Sequence, residues 1–391
     1  MRFFRVKNCR IICSDKSLTN KKDLFFKIDN GKSEIITEDL LEDEPTIIEG
    51  NEKLLLPALT DIGGVFFDPN FPARDSLQTA SAALSSGGYR RLYTFTNEKN
   101  HGDDRVKSIA PLPDRLESIE NNGIYYGYHD KSRDLMTVFS SMSEKNALYI
   151  SAGIDERTVE GVFSVGKASK LTSSKGISIF DECSSLAQEL LAAYETGCRI
   201  HVRAIASSEA LKMITEAKKM GTKVTCGVSP MHLSFFDLDV LYYAQMCKIL
   251  PPLRKENDRE ALREGVFDGS IDCISSLHTP LSKKEKGQPS ISAPFGVSSI
   301  ETVLPVLLTY MPELLSQRPE RLPHLTSDMP SKIVNDEFTL KVGGSADFLL
   351  VDPTTELVVT ENTLRSKSLN SPFLGQTLVS SSRLYLNGQP M

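Results

Sequence analysis

Between residues 185 and 276 the apolar positions switch repeatedly from helical spacing to strand spacing. Leu186, Leu190, Ala193 and Tyr194 form one helical stripe, opened by the capping-box run Ser185-Leu186-Ala187-Gln188 and stopped by Gly197. Cys198 to Ala206 reads as the following strand. Ser207 or Ser208 then caps a second helix, whose stripe is Leu211, Ile214 and Ala217, and Gly221 ends it before the strand Lys223 to Val228. Asp258 is placed to cap a helix through Leu262, and Ile271 to Ser276 alternates like one more strand. Earlier in the chain, Asp75 and Gln78 open a helix through Leu77, Ala80, Ala83 and Leu84, Gly87-Gly88 closes it, and Arg91 to Thr96 is strand-like. Strands and helices alternating in this way build a parallel sheet, open or closed, in an α/β fold.

The two ends follow a different pattern. Phe3 to Val6, Arg10 to Ile12 and Asp23 to Ile28 are short β-rich runs separated by Lys, Asn, Asp and Gly, and no helical stripe interrupts them. Ala346 to Asp352, Leu357 to Val359 and Arg383 to Gly388 repeat the pattern at the other end. Isolated hairpins are marginal in water, so the segments 1–55 and 337–391 are expected to pair into one small β-sandwich domain flanking a barrel domain over 56–336. A chain of 391 residues accommodates that pair, since one α/β barrel takes up about 250 residues.

Composition narrows the classes. With 45 Lys+Arg against 51 Asp+Glu the formal charge is −6, which argues against nucleic-acid binding. Hydrophobic residues make up 40% and charged residues 25%, enough apolar material for a sizeable core. Val303 to Leu315, a long apolar stretch, is interrupted by Pro305, Thr309, Pro312 and Glu313, so no membrane span is expected. The N-terminal alternation lacks the features of a signal peptide. Seven scattered cysteines without a C-x-x-C pair read as reduced thiols, and a cytoplasmic location is expected.

Three stretches, in order, resemble the dihydroorotase branch of the amidohydrolase superfamily. The first runs from Leu56-Pro57-Ala58-Leu59-Thr60-Asp61 through Pro69-Asn70-Phe71-Pro72-Ala73-Arg74-Asp75 to Asn97. The second holds His201-Val202-Arg203-Ala204, Ser229-Pro230-Met231-His232-Leu233, Pro251-Pro252-Leu253-Arg254, Asp268-Gly269-Ser270-Ile271-Asp272 and Leu277-His278-Thr279-Pro280. The third is Ser366-Lys367-Ser368-Leu369-Asn370-Ser371-Pro372-Phe373-Leu374-Gly375; this run and the Pro-Pro-Leu-Arg block favour dihydroorotases over dihydropyrimidinases and allantoinases. The resemblance implies a (β/α)8 TIM barrel, irregular where residues 98–180 match poorly, with a composite β-sandwich. It also implies a hydrolase of pyrimidine biosynthesis, in which one or two zinc ions at the strand ends generate the hydroxide that opens a cyclic amide.

At most of the positions where the resemblance implies site chemistry, this chain carries other residues. The His-x-His pair falls on Gly63 and Val65, and the Arg that binds the substrate carboxylate falls on Phe67. A further ligand His falls on Ala204, the Asn before Pro-Pro-Leu-Arg on Leu250, the Asp that serves as ligand and general base on Leu277, and a substrate-binding His on Leu281. Asp61, Asn97, His201, His232 and His278 remain as a residual polar set. The expectation is therefore a pseudoenzyme without catalytic residues, metal or other cofactor, with zinc present only if the protein is active after all.

Bland readings stand beside the chemical ones. His101 and His129 lie in charged loops, His324 carries no signal, and Asp61 reads as a framework acceptor. His232 and His278 with Asp61 read as satisfied structural groups, with a weak adventitious metal site as the alternative. The basic stretch Ser282 to Gln288 reads as a solvated loop. Three functions follow: a non-catalytic subunit supporting aspartate carbamoyltransferase and itself expected as a homo-oligomer, a dimer being the simplest form; an active dihydroorotase or related cyclic amidohydrolase with an unusual metal site; or a small-molecule binder using a vacated apolar pocket lined by Val65, Phe67, Leu277 and Leu281.

Overall fold

The computed structural model describes residues 1–19, 21–95, 105–111, 123–127, 135–154 and 159–391. Six strands open the chain: β1 Arg2–Lys7, β2 Arg10–Ile11, β3 Leu24–Asp29, β4 Lys32–Ile36, β5 Thr46–Glu49 and β6 Leu54–Pro57. Their apolar residues alternate inward and bury Val6, Leu24, Phe26 and Ile35 completely. Sheet order is β4-β3-β1-β5.

The middle of the chain supplies β7 Leu59–Gly64, β8 Tyr89–Phe95, β9 Val106–Pro111, β10 Ile124–Gly127 and β11 Leu148–Ser151. A small pair follows, β12 Phe163–Ser164 with β13 Gly176–Ile177, and then β14 Arg199–Val202, β15 Val224–Val228 and β16 Cys273–Ile274. Eight of these run parallel in the order β16-β15-β14-β11-β10-β9-β8-β7. Their burial is the signature of a sheet covered on both faces, as Leu148, Tyr149, Ile150 and Ser151 show by all being buried. Helices Leu77–Ser86, Leu135–Glu144, Ile179–Thr196, Ser208–Lys219, Glu256–Asp268 and Val303–Tyr310 pack around it. Across the seam between β16 and β7, the Val65 amide donates to the His278 carbonyl at 2.7 Å and Asp61 accepts from Ser276. The fold is the expected TIM barrel with a β-rich companion.

The C-terminal strands β17 Phe348–Val358, β18 Thr377–Leu386 and β19 Gln389–Pro390 complete a second sheet, β19-β18-β17-β6-β2, which thus takes strands from both ends of the chain. Aromatic rings tie the two sheets together. Phe4 stacks on Phe26 at 4.9 Å, Phe26 meets Phe348 at 6.0 Å, and Phe348 stacks on Tyr385 at 4.7 Å. Gly388, with φ +68°, lies so close to the Phe26 ring that a Cβ there would come within 2.2 Å of it.

Several local expectations are corrected. The helix expected from Ser185 starts one box earlier, at Ile179, because Ser178 and Asp181 cap it reciprocally. Ser76 rather than Asp75 caps the first barrel helix, and Lys255 rather than Asp258 occupies the cap of the helix Glu256–Asp268. The strand expected over Cys198 to Ala206 ends at Val202, and that over Ile271 to Ser276 shrinks to two residues. The stretch expected as a solvated loop forms the short helix Lys283–Lys286. Its Lys286 is buried, and the ammonium donates to the carbonyls of Lys248, Pro294 and Gly296. Among the described residues no helix is long and apolar enough to cross a membrane.

Candidate functional site

Ligands of barrel enzymes gather at the C-terminal ends of the strands. Asp61 stands there on β7, fully buried. Its Oδ1 accepts from the Ser276 amide at 2.7 Å, and its Oδ2 accepts from the Ser276 hydroxyl at 2.7 Å and the Gly64 amide at 3.1 Å. Burial pushes its carboxyl above the usual range, against those donors and the nearby Arg203 charge. The two bonds from Ser276 join β7 to the segment after β16 and so help to close the barrel.

The three residual histidines are equally committed. His232 receives the Ser229 hydroxyl proton at Nδ1 (2.8 Å) and donates from Nε2 to the Pro251 carbonyl (3.0 Å). His278 accepts the amides of Ser299 and Ile300 at Nδ1, at 3.1 and 3.3 Å, which places its own proton on Nε2. His201, on β14, pairs Nδ1 with the Thr225 hydroxyl at 2.9 Å, and its Nε2 lies 3.9 Å from the Cys273 sulfur. Burial lowers His201 to about 3 and His232 and His278 to about 4, so all three are neutral near pH 7. In His232 and His278 no nitrogen lone pair is left for a metal.

Around them the replaced positions are apolar and packed. Val65 and Phe67 are half-buried, while Ala204, Leu277 and Leu281 are buried. Leu277 has φ +51°, a left-handed conformation that Asn and Asp adopt far more readily than a branched apolar residue. Leu250 immediately precedes the buried Pro251-Pro252-Leu253-Arg254 block. Asn97, His101 and His129 lie outside the described residues.

Two functional groups escaped the sequence reading. Arg203, just beyond β14, folds across Gly63, where a Cβ would sit 2.6 Å from Arg203 Cδ and 2.8 Å from Phe95 Cζ. Its Nη1 reaches the Gly63 carbonyl at 3.3 Å. The side chain of Arg203 thus fills the space that a residue at 63 would need. Glu189, buried on the helix Ile179–Thr196, accepts from Tyr149 Oη at 3.0 Å and Ser151 Oγ at 2.6 Å, and burial raises it to about 7. Neither carries a local signal, because each acts on residues far away in sequence.

No family model matches the chain. Curated relatives do. It is 29% identical over 382 residues to the dihydroorotase of Thermoanaerobacter sp. (strain X514), covering 90% of this chain and 89% of that one. It is 28% identical over 409 residues to the dihydroorotase of Carboxydothermus hydrogenoformans, covering 95% and 94%. Among solved structures, the L-hydantoinase (dihydropyrimidinase) of Arthrobacter aurescens superposes with a TM-score of 0.83 at 21% identity, over 100% of this chain and 96% of that one. A D-hydantoinase from Thermus sp. gives 0.80 at 15%, over 99% and 94%.

Fold and sequence together define a TIM barrel that resembles hydantoinases in structure and proteins named dihydroorotase in sequence. The chain is in that sense dihydroorotase-like.

The expectation of no cofactor is thereby corrected. The chain aligns over nine-tenths of its length with proteins named dihydroorotase, and dihydroorotases and hydantoinases are typically zinc-dependent, so kinship implies zinc. The donors at the described strand ends do not fit that ion. Gly63, Val65, Ala204 and Leu277 offer no ligand atom, Arg203 brings a positive charge, and among the described residues no three His, Cys, Asp or Glu side chains gather as ligands would.

Proposed function

We propose that this chain is a dihydroorotase-like protein whose family zinc positions and general base are lost, and that it serves as a non-catalytic subunit supporting aspartate carbamoyltransferase, itself self-associating. The observation that carries the reading is the Gly63–Arg203 contact: the space that a side chain at 63 would need is taken by the methylene stem of Arg203 and the Phe95 ring. Leu277 supports it, holding a left-handed backbone at the position of the family's general base. Without a base or bound hydroxide at those positions, nothing there activates water.

A second reading is an active cyclic amidohydrolase with a relocated metal site. It is favoured by the relatives, which are named dihydroorotase and align with 90 to 95% of this chain. One experiment separates the two. The purified protein is assayed for dihydroorotate hydrolysis with added zinc and analysed for bound metal, and a tagged copy is used to capture aspartate carbamoyltransferase from native extract. Absent turnover with carbamoyltransferase captured supports the subunit; turnover with stoichiometric zinc overturns it.

A further inference from the structure

The barrel helices Ser208–Lys219 and Glu256–Asp268 turn charge toward solvent: Lys212, Glu216 and Lys219 are exposed on the first, and Glu256, Glu260 and Glu264 on the second. The helix Ile179–Thr196 does not. Its outward residues at 4-3-4-3 spacing are Phe180, Ser184, Ala187, Leu191 and Tyr194, with no charge at any of the five. Phe180 is 71% exposed, Leu191 62% and Tyr194 48%, while Ser184 and Ala187 are half-buried. The opposite face of the same helix is spent on the barrel, where it buries Leu186, Leu190 and Ala193. The stripe is therefore surplus to the fold. Beside its N-terminal end stands Val165, 54% exposed, whose amide donates to the Ile177 carbonyl at 3.1 Å. Together these side chains leave on the order of 400 Å² of apolar surface in water, about half of the ~800 Å² that each partner gives to a standard interface.

We propose that this helix face is where a second copy of the chain docks, the two helices packing antiparallel about a two-fold axis at Ala187. Alternating 4-3 spacing is that of helices that interlock at a shallow angle. The stripe is also complementary to itself when reversed. Phe180 of one copy meets Tyr194 of the other, Leu191 meets the small Ser184, and Ala187 meets Ala187, which lets the backbones approach. A two-fold contact requires such self-matching sizes. Asp181, Gln188 and Glu195, all exposed, form a polar rim along one edge of the stripe. The two-fold sets Asp181 of one copy beside Glu195 of the other, so added salt screens them and tightens the pair. A foreign helix chosen for that acidic rim would carry cations and bind less tightly in salt. This gives a surface to the self-association in the subunit reading and does not depend on the carbamoyltransferase.

The test uses the full chain in sedimentation equilibrium. The unaltered protein is expected to be a dimer at micromolar concentration and to dissociate less at high than at low salt. Leu191→Glu should raise the dissociation constant at least about 100-fold. Ala187→Cys places one thiol from each copy on the axis, and diamide, by taking up the two thiol hydrogens, should link them into a covalent dimer. The unaltered chain, in which six of the seven cysteines are buried, should give none. A monomer at every concentration, a dimer that Leu191→Glu leaves intact, association that weakens in salt, or no cross-link through Ala187→Cys would each overturn the interface. Capture of carbamoyltransferase by a protein that stays monomeric would overturn it too, while leaving the subunit reading in place. Should Leu191→Glu not fold, the Ala187→Cys cross-link decides alone.

Discussion

Two arginines of the barrel live in opposite circumstances. Arg254, in the Pro-Pro-Leu-Arg block, is buried and bonded along its whole fork: Nε and Nη2 to Glu182 Oε2 at 3.3 and 3.2 Å, Nη1 to the Ile177 carbonyl and Ser164 hydroxyl, Nη2 to the Ser178 carbonyl. Glu182 in turn accepts the Ala206 amide at 2.8 Å. Arg203, a short step past β14, has one long contact. The same division runs through the molecule. Asp75 joins Thr79 to the Ser366 hydroxyl and the Lys367 amide, and Asn370 clasps the Thr279 carbonyl and Leu281 amide, so the residues that carried the family resemblance are largely the joints of the scaffold. Scaffold joints persist because breaking one leaves a buried partner stranded. The apolar side chains at Val65, Phe67, Ala204 and Leu277 make no hydrogen bond whose loss would strand a partner.

The widest gap between the two regions should appear on truncation. Arg254→Ala is expected to cost about 3–5 kcal/mol in urea unfolding, since it strands the buried Glu182 charge. Arg203→Ala should cost about 1 kcal/mol or less. Comparable losses from the two would erase the distinction. Next in size, Gly63→Ala should cost about 1–3 kcal/mol, because its methyl meets Arg203 and Phe95 at a φ of +94°. In the double variant with Arg203→Ala the combined cost should fall short of the sum, and strict additivity would mean the two residues do not compete for space.

The smallest effect is a difference in pH slope. His201, His232 and His278 have folded values near 3 to 4 against an ordinary 6.5, so the unfolded chain binds more protons and stability is lost as pH falls from about 6.5 toward 4. Glu189 opposes them: raised from 4.5 to about 7, it favours the fold at low pH, and its contribution is lost as pH rises through about 7. Glu189→Gln removes only the opposing contribution. Its stability should therefore climb more steeply between pH 5 and 7 than that of the unaltered protein, by about 1 kcal/mol per pH unit. Parallel melting curves across that range would show that Glu189 does not titrate there.

Much of the fold was legible because caps and stops are local. Ser207 does cap its helix, and Gly197 and Gly221 end theirs with positive φ, each by chemistry contained within a few residues. Boundaries failed where two local signals competed. Ser178-Asp181 and Ser185-Gln188 are both capping boxes, and the first one wins in a helix that buries Glu182 against Arg254, a partner 72 residues away. The apolar replacements at the strand ends could be read only by setting them against the family pattern. Arg203 could not be found that way, since its meaning depends on Gly63, 140 residues distant, and on two rings from other strands. Lys286 misled for the opposite reason: a run of lysines looks solvated until three carbonyls fold around one of them.

At Leu277 the backbone and the side chain disagree. Its backbone still turns the left-handed way that suits a small polar residue, although an isobutyl group now sits on it. Main-chain shape is shared among many neighbours, whereas a side chain can be exchanged in a single step. A torsion that misfits the side chain it carries is therefore a place to look for an exchanged residue, one that comparison of side chains passes over.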